Sequence, residues 1–338
     1  MKRVRLSFAR GVEVGFVDRD LALKRVEYWA EHGMNVVHVV YGPEGCGKTA
    51  WLLQSVELLK ELGFEVIYVN PINKEVLAEF GIRELRDELM RLVKDALSQN
   101  ALTRLTWLAF DMAKELIKET RGKVAIIVDD AFQILGVKES AIYVKALLNL
   151  IEYPPEHYEN IVTIAATSEG VSRHEIGRHR WANLRVMWNM TREGLKQLYE
   201  QIPGNKPNFD EVWRLTGGNP KLLSQLYETG WNTDEVISDV INRKELRAFA
   251  ATLSSSERAW LWEAIDDPDA LFTRERMGLL GKLTELNLVI NDVPERKEFL
   301  WIDQPPAERD PELGIGNYVA WQTPLHREAV RRALQDVK

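Results

Sequence analysis

The feature that most constrains this chain is the stretch Gly42-Pro43-Glu44-Gly45-Cys46-Gly47-Lys48-Thr49, in which four residues separate a glycine from a Gly-Lys-Thr triplet. Glycines at this spacing let a loop turn tightly and aim successive backbone N–H groups at one point, so that amide dipoles cradle a phosphate chain. In this pattern Lys48 places an ammonium on the β- and γ-phosphates, and the Thr49 hydroxyl suits a hydrated Mg²⁺. The flanks agree. The run 36–41 (VVHVVY) reads as a buried strand, and Ala50 opens the amphipathic pattern of residues 50–60. A strand, a glycine-rich loop and a helix whose N-terminus faces an anion are the setting that phosphate binding needs. The expectation is a nucleoside triphosphate held by Gly42, Pro43, Glu44, Gly45, Cys46, Gly47, Lys48, Thr49 and Ala50.

A second motif completes the chemistry. Residues 124–128 (VAIIV) form an apolar run that ends in Asp129-Asp130. A buried strand delivers such carboxylates to the edge of a parallel sheet, where phosphates bind. Asp129 is expected to hold Mg²⁺ with Thr49, and Asp130 to polarise the attacking water. A further strand, 160–168, ends in Thr167-Ser168, and Thr167 is the expected polar sensor of the γ-phosphate. The basic stretch 173–180 follows, in which Arg173, Arg178 or Arg180 could reach that phosphate, in cis or across an interface; the stretch could also touch DNA or form a solvated surface, and Arg178 is the candidate catalytic arginine.

The rest of the chain reads in three parts: an α/β nucleotide-binding domain over 1–190, a helical lid over 191–245, and a helix-then-strand module over 246–338. In the first, five strands alternating with helices imply a parallel sheet covered on both faces. Residues 74–119 read as helical, with turn signals at Gly81 and near Asn100. Residues 3–16 read as a short-strand arm, and a helix over 21–32 follows. In the lid, Thr191 and Asn219 are expected N-caps, with Pro220 in the first turn. In the last part, helices from Ser254 and within 274–287 precede three expected short strands (288–290, 298–302, 318–321), a loose proline-rich tip at 304–311 and a closing helix. Together these suggest a winged helix.

Composition sets limits. With 45% hydrophobic and 28% charged residues the chain can bury a core and stay in solution. The formal charge is −7, and residues 245–338 carry 12 Lys and Arg against 17 Asp and Glu, which disfavours a duplex-coating role. Cys46 is the sole cysteine, so no internal disulfide can form and a cytoplasmic location is expected. No apolar run approaches a membrane span, and no secretory signal is evident.

Taken in order, these residues resemble the STAND-type P-loop ATPases, in particular their archaeal group. The stretch 16–20 (FVDRD) resembles the motif before the family's first helix. Residues 42–49 match Walker A, 126–133 resemble Walker B with a trailing Gln, 166–169 the sensor region, and 216–220 (TGGNP) the lid motif. The resemblance implies an extra-strand, AAA+-like P-loop domain, a helical lid and a winged helix. It also implies that Val17, Arg19 and Pro220 contact the nucleotide. Two positions depart from the pattern: Asp18 replaces the usual Gly, and Asp130 the usual Glu. The implied function is Mg-dependent ATP binding and hydrolysis that drives a switch, repositioning the C-terminal module for a protein partner or self-assembly. The alternative is an origin-recognition-like DNA-binding protein. A small-molecule kinase fits less well, because no acceptor pocket is legible.

Overall fold

The computed structural model describes residues 2–168 and 172–337, the side chains of residues 172–174 excepted. The chain forms two compact units. One holds residues 1–4, 20–41 and 48–186, the other residues 5–19, 42–47 and 187–338. Numbered along the chain, the strands β1 (Arg5–Ala9) and β2 (Val12–Gly15) lie in the second unit. Strands β3 (Val37–Tyr41), β4 (Glu65–Asn70), β5 (Glu75–Glu79), β6 (Lys123–Asp129), β7 (Asn160–Thr167) and β8 (Ala182–Val186) lie in the first, and β9 (Val289–Ile290) and β10 (Ala320–Trp321) again in the second.

The first unit is one six-stranded sheet in the order β5-β4-β6-β7-β3-β8. Five strands run parallel, and β5 pairs antiparallel with β4 at the edge. Strand β7 stands between β3 and β6, so the strand leading to the glycine-rich loop and the Asp129 strand are separated by the extra strand the sequence implied. The central strands read as unbroken apolar runs because both faces are buried. Val37, Val39, Ile67, Val69, Ile126 and Val128 point into a core closed by the helices Arg83–Ser98, Leu102–Thr120 and Val137–Glu152. On the other face the helices Asp20–His32 and Lys48–Glu61 cover β4, β6 and β7. Residues 75–79, expected to be helical, are instead the edge strand. Their sequence (EVLAE) favours a helix locally, but the turn after Pro71, with Lys74 at φ +56°, folds them back on β4 and ladder pairing prevails.

His38 lies in this sheet, stacked on Trp29 at 4.0 Å, with Arg185 Nη1 2.7 Å from its Nδ1. Burial, then Arg185 and Arg25, push its pKa down to about 3. A folded-state value below the unfolded one means that the unfolded chain takes up the proton first. Stability therefore falls as pH drops from about 6.5 toward 3. Between pH 7 and pH 5 His38 is expected to contribute a loss of about 2 kcal/mol. In His38→Gln, urea denaturation at the two pH values should show a difference smaller by that amount; an unchanged difference would refute the assignment.

The second unit begins with the β1–β2 hairpin. Its Leu6, Phe8, Val14 and Val17 pack with Leu195, Leu198, Tyr199, Val212 and Leu223. The helices Arg192–Gln201, Phe209–Thr216, Pro220–Glu228 and Thr233–Arg243 are each capped by a side chain, from Thr191, Asn208, Asn219 and Asn232. Each cap accepts an otherwise orphaned first-turn N–H. Beyond them, Ser254 and Glu257 form a capping box on the helix Ser255–Asp266, and Thr323 caps the last helix, Pro324–Asp336. Beside the hairpin cluster, a second hydrophobic core extends from Leu222 and Val236 to Leu283, Trp321 and Leu334.

Two expectations for the C-terminal part are corrected. Residues 298–302 do not form a strand. Glu298–Leu300 is a 3₁₀ turn, because buried Trp301 satisfies its indole N–H at the Glu295 carbonyl 2.9 Å away. The proline-rich stretch 304–311 is fastened rather than loose: Arg296 donates to the carbonyls of Ala307 and Glu308, and Arg309 pairs with Asp267.

Candidate functional site

In the first unit the carboxylates meet at the C-terminal edge of the sheet. Asp129, the last residue of β6, is fully buried. Its Oδ2 accepts hydrogen bonds from the Tyr68 hydroxyl (3.1 Å) and Asn70 Nδ2 (2.9 Å), both from β4. Its Oδ1 is buried without a protein partner among the described residues. Burial and the adjacent Asp130 raise its pKa, while the nearby polar groups of Thr49, Tyr68 and Asn70 pull the other way. Asp130 adopts a left-handed conformation (φ +48°), which an aspartate tolerates. Its N–H donates to Ala166 O at 2.9 Å, and its Oδ1 accepts the Ser168 N–H at 3.2 Å. These bonds tie the end of β6 to the end of β7, where Thr167 is buried in register with Tyr41. Lys48 and Thr49 begin the helix Lys48–Glu61, with Lys48 buried and Ala50 half-buried on its first turn.

The basic stretch is placed differently. Arg178 is exposed and forms a 2.9 Å ion pair with Glu175, and Arg180 is exposed. The side chain of Arg173, and Glu169 of the expected sensor region, lie outside the described residues. The structure thus brings Thr49 and Asp129 together, and through Ser168 sets Asp130 beside Thr167, without giving Arg178 a partner among them.

In the second unit, side chains far away in sequence fix the glycine-rich loop. The Gly42 backbone lies against the Met187 carbonyl, and buried Cys46 donates its thiol to the same oxygen at 3.5 Å. Pro43 O accepts the Cys46 N–H. The Glu44 carbonyl accepts from Asn219 Nδ2 (2.9 Å), its N–H donates to Gln322 Oε1 (2.9 Å), and its carboxylate lies 3.5 Å from Lys244. Gly45 O accepts the Lys221 N–H, and Pro220 lies next to Gly47. Asn189 links the network, donating to Gln322 O and accepting from Asn219, both at 2.9 Å or less. Arg19 is buried and donates to Cys46 O (2.7 Å), Trp188 O (2.8 Å) and Asp303 Oδ2 (3.1 Å). Asp18 accepts the Thr191 N–H, and burial raises its pKa despite the adjacent Arg19. Val17 packs with the hairpin core. Sequence reasoning singled out Arg19 and Asn219 but neither Gln322 nor Asp303; each is a lone polar residue with no motif around it.

A parallel sheet with an extra strand between the glycine-rich-loop strand and the Asp129-Asp130 strand defines a P-loop ATPase of the AAA+-like class. Residues 16–226, more than half of the chain, match the family model described as an ATPase domain predominantly from Archaea, and the chain belongs to that family. No curated protein matches. Among solved structures, a Walker-type ATPase of Pyrococcus abyssi, PABY2304, is 14% identical and aligns over 97% of this chain and 99% of its own, with a TM-score of 0.52. The Aeropyrum pernix ORC1 protein, solved in complex with DNA, is 16% identical over 95% of this chain and 93% of its own (TM-score 0.42). The ORC2 protein of that organism is 14% identical over 94% and 92% (TM-score 0.43). The chain is thus an ATP-binding, ATP-hydrolysing enzyme. Among the described residues, no helix is long and apolar enough to cross a membrane.

Proposed function

We propose that the chain is an Mg-dependent ATPase whose nucleotide state governs its C-terminal region. The observation that carries this reading is the buried, unpartnered Oδ1 of Asp129 beside the Thr49 hydroxyl. A buried carboxylate oxygen without a donor is costly unless a cation or an ordered water meets it. Two oxygen ligands, with phosphate oxygens and water completing the shell, suit Mg²⁺. When bound, the metal would neutralise charge on the β- and γ-phosphates. Lys48 and the amides of 42–49 would hold the phosphate chain, and Thr167 would touch its terminal group. Asp130, held by Ser168, would accept the proton of the attacking water. Arg178 would join only by assembly or by rearrangement from its pair with Glu175.

The switch reading is supported by what fixes the loop. Its carbonyls and amides are bonded to residues of the lid (Asn219, Lys221) and of the C-terminal module (Asp303 through Arg19, and Gln322), so any shift of the loop with nucleotide state is felt there. We read residues 246–338 as a winged-helix-like module that engages a protein partner or a second copy of the chain. DNA is the weaker alternative. Of the three cations on 274–287, Arg276 is paired with Glu263 and Lys282 with Glu257, leaving Arg274 to face phosphates.

The test is phosphate release from ATP, with Mg²⁺ and with excess chelator, across a series of protein concentrations. Release that stops on chelation is expected. Specific activity that rises with concentration would mean an active site completed by assembly, and a flat, slow rate would indicate a monomeric switch. A chain that neither binds nor hydrolyses Mg-ATP would refute the proposal.

A further inference from the structure

The geometry points to Asp303 as a positioning residue for nucleotide binding, acting through Arg19 on the Cys46–Gly47 peptide; this rests on the reading that residues 42–49 hold the phosphates. In a trans peptide the carbonyl and the following N–H point in opposite directions, and the structure contains no cis peptide among its described residues. Arg19 Nη2 draws the Cys46 carbonyl toward itself at 2.7 Å. The Gly47 N–H is thereby aimed away from Arg19, in a backbone conformation (φ +101°) that suits glycine. Asn219 acts likewise one peptide pair earlier: by holding the Glu44 carbonyl it turns the Gly45 N–H outward. Alternate amides of an anion-binding nest are thus oriented from behind, by side chains bound to their carbonyls.

Asp303 decides whether Arg19 can do this. The Arg19 and Asp303 side chains are 3% and 4% exposed, and the Asp303 carboxylate pairs with the guanidinium at 3.1 Å. Delivering the side chain inward also requires Asp18 and Arg19 to adopt consecutive left-handed conformations, at φ +64° and +65°. Such strain persists only where surrounding contacts over-determine it. Without that carboxylate the buried cation loses its ion-pair partner and keeps only the electrostatic attraction of the adjacent Asp18. Arg19 would then rotate toward water, and the Cys46 carbonyl would lose its anchor. The residue that sets the loop's amides therefore lies outside the part of the chain that matches the family model.

The experiment is titration of the full chain with ADP and with ATP, by calorimetry, well below its thermal midpoint. Asp303→Ala is expected to raise Kd roughly ten- to hundredfold, and Asp303→Asn, which keeps one acceptor, several-fold. If Asp303→Ala does not fold, Asp303→Asn and the double variant Arg19→Met/Asp303→Leu carry the test. Replacing both buried charges by apolar groups should restore the thermal midpoint while leaving Kd raised, because Cys46 O still lacks its donor. A double variant or an Asp303→Asn variant that binds as tightly as wild type would overturn the proposal and leave the pair purely structural. Lys48→Ala separates this from the underlying reading. If it binds nucleotide like wild type, the phosphate site itself is misassigned; if it loses binding while the Asp303 variants keep theirs, only the role of Asp303 falls.

Discussion

Asp130→Asn should leave nucleotide binding near that of wild type and lower the rate of phosphate release by about 10²–10⁴-fold, the range for a positioned general base. The asparagine can keep the local structure. Its side-chain oxygen still accepts the Ser168 N–H, the residue still tolerates φ +48°, and its N–H still reaches Ala166 O. What is lost is the capacity to take a proton, together with the negative charge that raises the Asp129 pKa. Lys48→Ala is the contrasting variant, expected to weaken binding itself because it removes the buried cation at the head of the helix Lys48–Glu61. Single-turnover phosphate release alongside equilibrium binding separates the two. An Asp130→Asn enzyme that turns over at the wild-type rate would exclude Asp130 as the base.

Gly42→Ala is expected to be nearly as damaging, for a steric rather than a chemical reason. A Cβ at this position would lie 1.9 Å from the Met187 carbonyl oxygen and 3.0 Å from its carbon, both backbone atoms that cannot move aside as a side-chain tip can. Overpacking of this kind costs about 3 kcal/mol or more. The displaced loop should bind ATP at least about a hundredfold more weakly, on the scale of losing a few hydrogen bonds to a charged ligand. Gly63→Ala is the control. Unlike Gly42 it has a left-handed backbone (φ +81°), but open space surrounds it, so the substitution should cost only about 1–2 kcal/mol and leave binding intact. Equal effects of the two substitutions on ATP affinity would contradict the steric account.

Much of this architecture was legible in the sequence because its signals are local. The strands around Val39, Ile126 and Ile164 are apolar on both faces, and Asn219-Pro220 announces a helix start within two residues. The edge strand 75–79 was not legible, since its preference for strand comes from pairing with β4. Nor were the contacts that hold the glycine-rich loop from behind. Asp303 is 284 residues from Arg19, and Gln322 is 278 from Glu44. No periodicity or spacing in one sequence encodes a contact made at that range.

The β1–β2 hairpin has a consequence for how the molecule is made. Gly15 bonds the side chain of Gln201, 186 residues later, and Phe8 O accepts from Ser224. At a synthesis rate of about 5–20 residues per second, the hairpin leaves the ribosome roughly 10–40 s before these partners exist. During that interval Leu6, Phe8 and Val14 are without the core they later join, so the hairpin is made early and seated late. A polypeptide truncated near residue 190 would therefore carry an apolar ribbon with nothing to receive it.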